Sequence, residues 1–211
     1  MNFSFVADAV ETSDNTTNFQ ITLQAGEQKI LPKIVNVLRQ QGVAGIGAAG
    51  PTFAGALFAT VSGDMSGIVI GARTLAPGGG GQYGLFYSAG PYGTASATSA
   101  WLYGLQQTAE TRSNLALVNT GEADASTDVF SIDIYNGGTG VKVVTVEGVA
   151  LGAKRWLQIN SILALHAPGV SQGYAQVKRT SGNNPFIAYA VINDGGQPGE
   201  RSGDGAFVSS F

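Results

Sequence analysis

Few residues in this chain could carry covalent or metal chemistry. Its 211 residues include one histidine, His166, and no cysteine. A Ser–His–Asp triad is formally open to His166, but no G-x-S-x-G elbow accompanies it. One histidine excludes a histidine-rich metal site, and the lack of cysteine excludes disulfides, thiol catalysis and thiolate zinc sites. His166 reads as a surface residue beside Pro168 at the end of a short helical turn. The carboxylates are scattered. Asp124 and Asp128 fall in a polar loop and Asp133 points outward from a strand, so nothing sets two acids across a cleft as glycoside hydrolysis requires. The loop DGGQPGERSGDG (194–205) holds the metal candidates Asp194, Glu200 and Asp204, because calcium favours oxygen-rich, glycine-rich loops. Its spacing is not that of an EF-hand, and the reading expects an ordinary turn-rich loop with no metal and no cofactor. GIGAAG (45–50) matches G-x-G-x-x-G, but a turn precedes it and Pro51 follows it, where a dinucleotide site needs a strand and a helix.

Aromatic residues offer a different chemistry. Tyr83, Tyr87, Tyr92, Trp101 and Tyr103 are the binding candidates. Exposed rings bind sugars, and Tyr and Trp are enriched at interfaces. The competing reading packs Trp101 and Tyr103 between two sandwiches as core.

The elements that position these residues are short strands. Phe130, Ile132 and Ile134 alternate with Ser131 and Asp133. Ala175 and Val177 alternate with Tyr174, Gln176 and Lys178, which face water. FIAYAVIND (186–194) is apolar on both faces, as in a central strand. Turn signals separate the runs: SGD (62–64), PGGGG (77–81), NGGTG (136–140), SGNNP (181–185). LPKIVNVLRQQ (31–41) and LQINSILAL (157–165) each predict one short helix or 3₁₀ turn. The chain also repeats itself with a period of about 120–127 residues, the size of a domain. Phe3-Ser4-Phe5 reads against Phe130-Ser131-Ile132, Gly26 against Gly152, Ser62-Gly63 against Ser181-Gly182, and GLFYS (84–88) against GAFVS (205–209). RSNLALVNT (112–120) opens the second copy, and the first copy has no counterpart. WLYGL (101–105) is expected to pair with the first copy or to bridge the two, with Trp101 largely buried.

The predicted fold is all-β: two tandem, sequence-related antiparallel β-sandwiches, Ig-like or jelly-roll-like, each with at most one short helical turn. Residues 1–93 form the first copy, lacking its opening strand, and 94–211 the second, including the linker strand. Charged residues are only 12% of the chain and the net charge is −3. That balance gives no footprint for nucleic acid. No apolar run approaches the roughly 18 residues of a membrane-spanning helix.

RSNLALVNTG (112–121), YNGGTG (135–140), GYAQV (173–177), FIAYAVINDG (186–195) and GDGAFV (203–208) together resemble a recurrent tandem module of secreted bacterial proteins, in which an "RtNLgLvN"-type strand opens each copy. The resemblance implies an accessory module at the cell surface or outside the cell, with no catalytic residues to carry over and an export signal upstream. The expected function is therefore a non-enzymatic structural or adhesive module acting through surface contacts on a protein or polysaccharide, as a monomer or an edge-paired dimer. The alternative is a carbohydrate-binding module using exposed Tyr and Trp; a hydrolase is the remote third. Exposed, coplanar Trp101 and Tyr103 would favour sugar binding, and buried ones the structural reading.

Overall fold

The structure is a computed structural model that describes residues 1–7, 19–40, 54–78, 81–197 and 205–211, without the side chains of 7, 19, 76–78 and 81–83. GIGAAG (45–50), Glu200 and Asp204 lie outside the described residues. The fold is all-β: the described residues form fifteen strands and two short helices, and the strands pair antiparallel throughout the ladders of those that begin at Asn2, Gly71, Ala76, Asp128, Gln172 and Phe186. The chain divides into two compact units. One holds Met1–Ile68 with Lys154–Leu157, the other Val69–Ala153 with Gln158–Phe211.

In the first unit, β1 (Asn2–Ala7) lies between β2 (Phe19–Gln20) and β3 (Gly55–Thr60). Phe3 and Phe5 alternate along β1 and are both buried. Helix α1 (Ile34–Gln40) supplies Ile34, Val35 and Leu38, which close on Phe5 and Leu57. The spacing i, i+1, i+4 puts those three residues on one helix face.

Seven strands that lie wholly in the second unit, together with the strand Trp156–Ile159, form a sandwich of two four-stranded sheets. One runs β11 (Lys142–Leu151), β10 (Asp128–Asn136), β13 (Gln172–Ser181), β8 (Ser99–Gln106). The other runs β12 (Trp156–Ile159), β9 (Thr111–Asn119), β14 (Phe186–Asp194), β15 (Gly205–Ser209). Phe130, Ile132, Ile134, Ala175, Val177, Ala100 and Leu102 from the first sheet are fully buried, as are Phe186 and Ala190 from the second. Phe130 meets Phe186 edge to face at 5.0 Å, which joins the two layers. Each large side chain so buried stabilises the sandwich by about 1.5–3 kcal/mol. The period-two alternation predicted for 130–134 and 174–178 is therefore the observed one. Helix α2 (Ile162–His166) enters β13 from the end of β12. Two hairpins precede the sandwich: β4 (Gly71–Arg73) pairs with β7 (Phe86–Ser88), and β5 (Ala76–Gly78) pairs with β6 (Gly81–Tyr83).

One expectation is overturned. The WLYGL strand, within β8, pairs with β13 of the second unit, Gln176 opposite Trp101 and Val177 opposite Ala100. The reason lies in its other face. Ala100, Leu102 and Leu105 are fully buried and complete the sandwich core, a larger gain than edge pairing alone. Trp101 faces away from that core and is only half-buried.

The polar residues of RSNLALVNT act as staples. The Arg112 guanidinium donates to the carbonyls of Asp194, Gly195 and Gln197 at 3.1, 2.8 and 3.2 Å. Asn114 accepts the Ser161 N–H at 2.9 Å, immediately before α2. Buried Asn119 donates to the Leu151 carbonyl at 2.9 Å and accepts the Gly121 N–H. Each side chain satisfies backbone groups that a loop could not pair by itself.

The order β2-β1-β3, with a helix before β3, has the same form as β11-β10-β13, with a helix before β13. Lys33 and Ser161, the residues before the two helices, both take the left-handed conformation. Gly26 does so in the turn at 25–26 and Lys154 in the turn at 153–154.

Candidate functional site

The outer face of the β11-β10-β13-β8 sheet carries the candidate site. An outer face of a sandwich is normally polar where it meets water. Here Tyr135 on β10, Tyr174 on β13 and Trp101 and Tyr103 on β8 form one aromatic cluster. Tyr135 and Tyr174 are register partners, and their rings stack at 4.8 Å with planes 1° apart. Trp101 and Tyr103 are parallel to within 11° at 6.0 Å. Trp101 also reaches Tyr135 at 5.7 Å and Tyr174 at 6.0 Å, and Tyr103 reaches Tyr174 at 5.6 Å. Phe211 lies at the rim, 6.5 Å from Tyr103. Its N–H and carbonyl pair with the carbonyl and N–H of Trp101. Tyr103 is 48% exposed and Phe211 80%.

Local backbone geometry builds this cluster. Between the pairs Gly173–Leu105 and Ala175–Leu102 the register shifts, so Tyr103 and Gly104 together oppose Tyr174. Gly104 takes φ +77°, a conformation that costs other residues about 1–2 kcal/mol. This bulge places the Tyr103 ring against Tyr174, as bulges characteristically re-aim side chains.

A charged group adjoins the rings on the same face. Asp133 pairs with Lys178 at 2.6 Å and Lys142 at 3.3 Å, and accepts the Thr145 hydroxyl. Burial raises the Asp133 pKa, but the hydrogen bonds from Lys178, Thr145 and Lys142 outweigh burial and hold it at about 2. The bond to Asp133 raises the Lys178 pKa. Asp133 does face outward from its strand, as its alternation predicts, yet it is 4% exposed because the lysines cover it. Gln176, between Tyr174 and Lys178 on β13, links the aromatic and charged halves.

The other candidates lie elsewhere. Tyr87 packs edge-on against Tyr189 at 5.8 Å and Phe207 at 5.4 Å, over β14 and β15, and burial raises its pKa. Tyr92 is 81% exposed in the turn that follows Pro91. Tyr83 ends β6, and its side chain is outside the described residues. Trp101 and Tyr103 are thus brought together, apart from Tyr87 and Tyr92. Tyr135, Tyr174 and Phe211 join them. Tyr174 was legible as water-facing from its alternation, but nothing in the sequence announces that it meets Tyr135.

His166 ends α2 and makes no hydrogen bond or ion pair to a serine or carboxylate among the described residues. Asp194, the first of the candidate cation ligands, ends β14. The carbonyls of Asp194, Gly195 and Gln197 in the 194–205 loop accept from the Arg112 guanidinium. Among the described residues no group of three or more His, Asp or Glu could hold a metal ion. Asp124 and Asp128 belong to a latch between two loops. Asn184, fully buried, accepts the N–H groups of Ala123 and Asp124 and donates to both carboxylates, and its own N–H reaches Asp128. Hydrogen bonds from Ser126, then Asn183, hold the Asp124 pKa at about 2.

No family model, no curated protein and no solved structure matches this chain. Among the described residues no helix is long and apolar enough to cross a membrane.

Proposed function

We propose that the protein is a non-enzymatic adhesive accessory module of an exported bacterial protein, built from two diverged copies of one β domain and working through the outer face of the β11-β10-β13-β8 sheet. One observation carries this reading: a five-ring aromatic cluster on the side of a sheet that normally faces water. Tyr103 and Phe211 are exposed and Trp101, Tyr135 and Tyr174 half-buried, and aromatic surface left partly in water marks contact sites. The polar machinery elsewhere is absorbed by structure. Arg112, Asn114, Asn119, Asp128 and Asn184 all bind backbone or loop partners. The repeated strand order and the paired left-handed residues before α1 and α2 support the two-copy reading.

A second reading, carbohydrate binding, is favoured by the near-parallel Trp101 and Tyr103 rings and by the exposure of Tyr103. The test of the adhesive reading is retention of protein-coated beads on intact bacterial cells and on purified cell-surface material. Tyr103→Ala should cut retention while leaving thermal stability nearly unchanged. Equal retention by wild type and variant would refute the assignment of this face.

A further inference from the structure

The ligand that suits this face is set by its chemistry. Three tyrosines and a tryptophan give it apolar ring surfaces with polar tips, and such amphipathic rings suit ligands that are themselves half apolar and half polar. A sugar ring has that character: one face of C–H groups, rimmed by hydroxyls. Tyr135, Tyr174 and Tyr103 stand on three successive strands, a strip of about 10 Å across the sheet. A strip of that kind fits an extended chain better than a single small molecule, which prefers a concave pocket.

Charge decides between classes of chain. Lys142 and Lys178 are matched on the same patch by Asp133, and Glu147 lies close enough to act on Lys178. The patch is therefore balanced, two positive against two negative. Both lysines are paired with Asp133, which weakens their pull on a phosphate or uronate. The chain as a whole carries a net charge of −3 and repels polyanions. The face complements an uncharged ligand.

We propose that this face binds an uncharged polysaccharide chain. Trp101 and Tyr103 supply the stacking surfaces, and Gln176 with the Lys178–Asp133 pair supplies hydrogen bonds to the hydroxyls. This rests on the adhesive reading of the same face and adds the ligand class. The strand-borne rings are held by their neighbours before ligand arrives, so binding loses little side-chain freedom.

The experiment is a microarray printed with neutral glucans, mannans, xylans and galactans and with anionic uronans and teichoic acids. It is probed with the full chain and with Trp101→Ala, Tyr103→Ala and Gln176→Ala. Each variant is first checked for a cooperative melt, and Tyr103→Ala and Gln176→Ala keep the test valid if Trp101→Ala misfolds. The expected result is binding to one neutral class, insensitive to salt and weakened at least about tenfold in each aromatic variant. Binding to anionic polymers alone, with strong salt dependence, would overturn the proposal. So would neutral-glycan binding that survives both aromatic substitutions. If no glycan binds while bead adhesion still requires Tyr103, the glycan assignment fails and the adhesive reading stands. A dimer in sedimentation that Tyr103→Ala dissolves, without glycan binding, would give the face to a second copy instead.

Discussion

Asp133→Asn is the perturbation that most directly measures how the candidate face is held together. In the folded protein Asp133 titrates at about 2, against 3.8 for an ordinary aspartate. At about 1.36 kcal/mol for each pH unit, that gap is worth roughly 2.4 kcal/mol. The lysine side chains are 50% and 42% exposed, so water screens part of the attraction. A realistic cost at pH 7 is about 1–2 kcal/mol. The sign follows from the depressed pKa. The stabilisation is fully present above the unfolded value near 3.8 and is lost as pH falls through about 2. Asparagine does not titrate. Denaturant unfolding of wild type and Asp133→Asn between pH 7 and pH 2 should therefore give a difference that is constant down to about pH 5 and shrinks below it. Added salt should also narrow the gap at pH 7. A difference that is the same at pH 7 and pH 2 would refute the ion-pair account and leave only a packing effect.

Two further predictions concern the framework. Gly182 takes φ +94°, and a Cβ there would clash with Asp128 Oδ1. Gly182→Ala should therefore cost about 3 kcal/mol or more, through backbone strain and displacement of the buried latch. Differential scanning calorimetry should show the melt falling by roughly 6–12 °C. Gly148→Ala, with φ +71° and open space around it, should cost only the strain; equal losses for the two would refute the clash. Arg112→Met removes the donor to the carbonyls of Asp194, Gly195 and Gln197. It should cost about 1.5–3 kcal/mol and raise hydrogen exchange at 194–197. Millimolar calcium should restore nothing; full protection regained with calcium would revive a cation site there.

What the sequence determined alone follows from periodicity and turn chemistry, which are local. Alternation at 130–134 and 174–178 placed the buried and outward residues, because a strand's side chains point to opposite faces in turn. The apolar faces of FIAYAVIND matched a central strand, and β14 does lie between β9 and β15. Short helices were legible from apolar spacing before β3 and β13. The motif RSNLALVNT was conspicuous by its polar residues, but apart from contacts of Asn119 with its own turn the partners of Arg112, Asn114 and Asn119 are 32 to 85 positions away in the chain, so only the fold could reveal them as staples.

Tertiary structure decided everything that depends on which strands become neighbours. WLYGL carried a clear pattern, yet its partner strand depended on which core its Ala100–Leu102 face would complete. The candidate site shows the same division. Trp101 and Tyr103 are close in sequence and were found together. Tyr135 and Tyr174 meet only through the β10–β13 register, and Phe211 joins only because its backbone pairs with Trp101. Likewise Asp133 read as an exposed surface acid, and it became a covered one because strands β11 and β13 bring Lys142 and Lys178 over it. Alternation tells which face a side chain takes; which side chains share that face is a property of strand order and register, and these are set by long-range packing.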